Sequence, residues 1–106
     1  MSDAAAAQNV IDMLDEMAAD EMYSGYVVTV LDSNRDPKLY GACHGTTTTV
    51  LGAQVFRDAD TAIAAASLRN TLKGIRHGFA VVERLSDAIQ RERDAMTDTL
   101  RREVAA

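Results

Sequence analysis

The sequence predicts an α+β fold, and three observations predict it. An amphipathic helical period occupies the N-terminal region, a run of β-branched residues follows at once, and helical composition dominates the second half. In order, the reading is an N-terminal helix, a three-stranded antiparallel β-meander, and two C-terminal helices, all in one domain spanning residues 1–106. A fourth strand at 79–83 is the alternative to an unbroken last helix.

Ser2 or Asp3 can cap the first helix by accepting hydrogen bonds from its free N–H groups, and the helix runs to about Met22. At 100° per residue, Val10, Ile11, Met13, Leu14, Met17 and Ala18 share one broad face. Asp12, Asp15, Glu16 and Asp20 share the other. Ser24-Gly25 ends the helix, glycine supplying the left-handed conformation of a C-terminal cap.

Tyr26 to Leu31 is β-branched and aromatic, so it reads as a strand. Asp32 to Pro37 is a turn, since nearly every residue favours local side-chain bonding or a fixed φ. A second strand covers Lys38 to Cys43, His44-Gly45 reverses the chain, and a third strand covers Thr46 to Leu51. Connections this short force antiparallel pairing. Gly52 marks a bulge, and Ala53 to Phe56 continue the strand or leave the sheet.

Asp58 is a good N-cap for a helix from Ala59 to Lys73, with Gly74 as its stop. Leu68 and Leu72, with Ala64 and Ala65, form a narrow apolar face suited to lie across the sheet. Beyond Gly78, Val82, Leu85, Ile89, Met96 and Leu100 recur at helical spacing. We read one long helix from about Phe79 to Glu103, roughly 37 Å at 1.5 Å per residue. Val81-Val82 supports the alternative strand, whereas Glu83-Arg84, with no turn residue after them, speaks against it.

The chain has 106 residues, 47% hydrophobic and 25% charged, a globular composition for one modest core. Aromatics are 5% and Trp is absent, so Ala, Val, Leu, Ile and Met must build that core. Cys43 is the only cysteine, which rules out an internal disulfide scaffold. No secretory n-region and no membrane-spanning run stand out, and a cytoplasmic location is expected.

Net charge is −5, unevenly spread. Residues 1–24 carry six carboxylates and no Lys or Arg, whereas residues from Arg69 onward carry eight basic groups against six acidic ones. Nucleic-acid binding is disfavoured, because phosphate contacts need a coherent basic patch.

No residue pattern specifies a reaction, a metal or a cofactor, and none of the three is expected. Cys43 and His44 are adjacent on a strand and point to opposite faces, and His77 would be a third ligand at best. A Cys43–His77 nucleophilic pair has suitable residue types without any flanking signature. Asp32 to Asp36 starts like a calcium loop, but Pro37 stands where glycine is needed and Cys43 where the bidentate glutamate belongs. The glycines match neither the dinucleotide nor the P-loop spacing.

Three features point instead to partners. Asp12, Asp15, Glu16 and Asp20 present aligned negative charge to a protein with a basic surface. Met13, Met17 and Met22 are adaptable residues suited to a core or a subunit contact. The apolar stripe of the last helix suits either a homodimer or packing back across the sheet.

The resulting expectation is a non-catalytic interaction domain that inhibits or modulates another protein. In size, acidity and lack of motifs the chain resembles many phage-encoded inhibitors of host machinery, including anti-CRISPR proteins. That likeness lies in bulk properties over the whole chain. The alternatives are a small-ligand or nucleotide-binding domain using Thr46 to Thr49, and a structural homo-oligomer subunit.

Overall fold

The computed structural model describes residues 3–20, 24–43, 45–73 and 78–105. Helix α1 spans Asp3–Ala18, strands β1, β2 and β3 span Tyr26–Leu31, Pro37–Ala42 and Gly45–Thr47, and a 3-10 turn spans Val50–Gly52. Helix α2 (Ala59–Lys73), strand β4 (Phe79–Arg84) and helix α3 (Leu85–Ala105) complete the chain. The four strands form one antiparallel sheet in the order β3-β2-β1-β4.

The α+β class is as the sequence predicts, and of the two readings for residues 79–83 the strand is the one that forms. The long helix from Phe79 is therefore corrected. β4 pairs with β1 from Tyr26↔Arg84 to Leu31↔Phe79, and α3 starts directly at Leu85. Two tertiary contacts make this abrupt change workable. The Leu85 N–H donates to the Gly25 carbonyl at 2.9 Å, extending the ladder by one bond, and Arg91 pairs with Glu83.

The register of β1 assigns the two faces of the sheet, because residues directly opposite one another point the same way. Val27, Thr29, Tyr40, Val81 and Glu83 face α1 and α3. Val28, Val30, Ala80 and Val82 face α2. β1, central and covered on both sides, is buried from Val27 through Val30. On the first side Leu14 of α1 joins Val27, Val50, Leu85, Ala88 and Ile89 in the main core. The first turns of α3 thus bury Leu85, Ala88 and Ile89 in the chain's own core, while Met96 and Leu100 further along the stripe are only partly buried.

The Leu68–Leu72 face is not the one that meets the sheet. α2 buries Ala62 and Ala66, and Asn70 lies one turn further along the same line. The Asn70 amide clamps the edge strand, donating to the Ala80 carbonyl at 2.9 Å and accepting from its N–H at 2.7 Å. That contact rotates the helix so that alanines, which permit close approach, meet the sheet. It also covers part of the β4 edge that would otherwise invite another strand.

Asp58 caps α2 as expected, its carboxylate accepting from the Thr61 N–H at 2.8 Å and the Thr61 hydroxyl at 2.7 Å. Those bonds hold its pKa below the usual value. The third strand is shorter than Thr46 to Leu51. Thr49 leaves it to cap the 3-10 turn, accepting from the Leu51 N–H and donating to the Glu92 carboxylate of α3. Glu92 also accepts the Val50 N–H at 2.9 Å. α1 ends at Ala18, short of the expected Met22: Ala19 and Asp20 already turn out of the helix, and residues 21–22 lie outside the described ones.

The 32–36 turn closes on itself. Asp32 accepts the N–H groups of Asn34 and Asp36 on one carboxylate oxygen, at 2.8 and 3.0 Å. Arg35 takes φ 64°, the left-handed region that disfavours side chains. Arg35→Gly is expected to raise stability by about 0.5 kcal/mol, the relief of strain outweighing the added freedom of the unfolded chain. Urea denaturation with unchanged m-value measures it.

Candidate functional site

Helix geometry separates the four carboxylates of α1. Asp12 and Glu16 lie one turn apart on the outer face, and Asp20 follows just beyond the helix end. All three are exposed. Asp15 is rotated toward α3, where it accepts from Arg93 Nε at 3.0 Å in an exposed ion pair. This contact is the main reason the Arg93 guanidinium is pushed above its ordinary value. Asp12 accepts from the Gln8 amide one turn earlier, at 3.0 Å. The carboxylates expected to form one docking face therefore present a line of three, with Asp15 set to one side.

Met13 stands beside that line. It is 52% exposed although it belongs to the apolar half of the helical wheel, and it neighbours Glu16 by one turn. Val10 and Met17, on the same flank, pack against the main core. The outer surface of α1 thus combines negative charge with one flexible apolar side chain free to embed in a partner.

Sequence reasoning missed a partly buried polar cluster on the sheet beneath α3. Arg91 spans Glu83 with two hydrogen bonds, Nη1 to Oε2 at 2.6 Å and Nη2 to Oε1 at 2.7 Å. Thr29, 1% exposed, donates its hydroxyl to Glu83 at 2.5 Å, and Arg91 donates to the Tyr40 hydroxyl at 2.9 Å. Burial pushes the Glu83 carboxyl up, but the bonds from Arg91 and Thr29 and the charge of Arg91 together hold it below the usual carboxylate range. The bonds to Glu83 are the main reason the Arg91 guanidinium is pushed up, burial opposing them. Burial likewise raises the Tyr40 phenol, against the opposing effect of Arg91.

No buried side-chain nitrogen or oxygen among the described residues lacks a hydrogen-bond partner. Such an arrangement fixes α3 on the sheet. In the sequence Glu83 and Arg91 stand eight residues apart, a separation without meaning until a strand and a helix bring them together.

The remaining candidates are scattered. Cys43 is exposed in the turn after β2, while His44 and His77 lie outside the described residues. No group of three potential metal ligands occurs among the described residues. The calcium-like turn uses its Asp32 carboxylate to hold its own backbone. Of the threonine run, Thr46 and Thr47 point to opposite faces of β3 and Thr49 engages Glu92, whose negative charge opposes a phosphate there. No described helix is long and apolar enough to cross a membrane.

A second feature not anticipated is an apolar groove between α2 and the sheet, about 220 Å³ in volume. It opens where β1 and β2 diverge and residues 54–56 enter between them. Gln54 N–H donates to the Gly41 carbonyl at 2.9 Å, and Tyr26 and Phe56 exchange backbone bonds at 2.7 and 2.8 Å. No family model, no curated protein and no solved structure matches the chain.

Proposed function

We propose that this protein is a non-catalytic interaction domain that binds, and thereby inhibits or modulates, another protein bearing a basic surface. The observation that carries the reading is the outer surface of α1, where the exposed carboxylates of Asp12, Glu16 and Asp20 flank a half-exposed Met13. Charge at this density steers a basic partner into encounter, and the apolar side chain beside it supplies a desolvated contact that holds it. Asp15 contributes from the flank, its charge partly offset by Arg93. A cytoplasmic setting suits the reading, with the lone Cys43 left as a thiol.

Affinity capture from lysate of the source cells tests it. The expected result is a basic protein retained at low salt and released progressively as salt rises, as electrostatic steering requires. Recovery of only the chain itself at every salt concentration would contradict the proposal.

A further inference from the structure

The groove beside α2 lies on the face of the sheet opposite α1 and α3. We infer that it is a second docking site, taking an acidic segment of a partner protein that inserts one large apolar side chain, with Arg69 receiving a carboxylate beside it.

The floor is built from small residues. Gly41, Ala42 and Ala65 leave open the space beside Val28, and a Cβ at Gly41 would already stand 3.4 Å from the Val28 side chain. The volume suits one Leu or Phe side chain. It falls below the roughly 300 Å³ at which pockets begin to enclose a drug-sized ligand, and exceeds the ~150 Å³ that holds benzene.

The rim decides between a free small molecule and a polypeptide. Leu68 is 58% and Leu72 72% exposed, one turn apart on the flank of α2. A small molecule seated in the groove would leave both leucines largely in water, whereas a chain carrying its anchor into the groove would cover them. Two exposed leucines beside a preformed pocket make a contiguous apolar patch of the kind that marks an interaction surface.

Charge selects the partner. Among the described residues, Arg69 is the sole charged one lining the groove, in a chain of net charge −5. One of its N–H groups donates to the Gly45 carbonyl at 2.8 Å, which holds the guanidinium across the groove end. A guanidinium has five donors, so others are available to a carboxylate in the same plane.

This site extends the interaction reading to a second face and does not require the first. Methyl NMR titration tests it with acetylated hexapeptides carrying a central Phe or Leu flanked by Asp, by Asn or by Lys. The expected result is perturbation of the Val28, Ala42, Ala65, Leu68 and Leu72 methyls, in the order Asp, then Asn, then Lys. Arg69→Gln should weaken the Asp-flanked peptide about fivefold and erase its advantage over the Asn-flanked one. Leu68→Gln with Leu72→Gln, both at exposed positions, should abolish the response, while charge reversal on α1 should leave it intact.

Equal binding of the Lys-flanked peptides, shifts confined to other surfaces, or no shift at several millimolar peptide would overturn the inference. So would sedimentation showing a dimer that the leucine substitutions dissolve, since the groove would then belong to a second copy.

Discussion

Removing either charge of the Glu83–Arg91 pair is expected to destabilise the protein by about 2–3 kcal/mol. A fully buried pair typically costs more when broken, but the Arg91 side chain is 37% exposed, so water recovers part of the loss. In Arg91→Met the Glu83 carboxylate, 18% exposed, stays beneath α3 with only Thr29 to satisfy it. In Glu83→Met the guanidinium keeps Tyr40 alone. The double variant Glu83→Met/Arg91→Met leaves no uncompensated charge and should lie within about 1 kcal/mol of the starting protein. Single losses that simply add in the double variant would show that the two residues do not act as a pair.

The same pair sets a pH dependence. The Glu83 carboxyl titrates lower in the folded protein than in the unfolded chain. Its contribution is therefore complete above the unfolded value, roughly pH 4.3. It is lost as pH falls through the lower folded value. Acid unfolding of the double variant should be shallower across that window.

Gly78→Ala is expected to cost about 3 kcal/mol, from left-handed backbone strain and overpacking together. Gly78 has φ 103°, and a Cβ there would stand 2.7 Å from Val30 Cγ1 and 2.8 Å from the Leu31 carbonyl oxygen. The second contact is with backbone, so no rotamer change relieves it. The residue sits at the entry to β4, and displacing it would loosen the Leu31↔Phe79 end of the ladder. A melting temperature within a degree of the parent would contradict this.

The sequence carried the local features well. α1 follows from its helical period, β1 from six β-branched, aromatic and aliphatic residues, and the start of α2 from Asp58. What it concealed depends on contacts between distant segments. Glu83-Arg84 argued against a strand because no turn residue follows them, and only the Leu85 bond to Gly25 and the pairing of Arg91 with Glu83 let β4 pass straight into α3. Thr49 looked like strand and is a cap, because Glu92 reaches it from forty-three residues away. Leu68 and Leu72 looked like the core face of α2, yet the Asn70 clamp on Ala80 turns Ala62 and Ala66 inward.

The candidate docking face was legible for a similar reason. Charges on one helix can be placed by angle alone, so Asp12 and Glu16 are outward as the wheel requires. The division between these and Asp15 needed the position of Arg93.

The central claim is that the acidic surface of α1 docks a partner. The most direct measurement compares capture by the parent protein and by a variant carrying Asp12→Lys, Asp15→Lys, Glu16→Lys and Asp20→Lys, with thermal melting recorded for both. All four sites are exposed, so the variant should melt cooperatively and keep its helical circular dichroism while capture of the basic partner is lost. A folded variant that still captures the same partner to the same extent would contradict the account and move the docking face elsewhere.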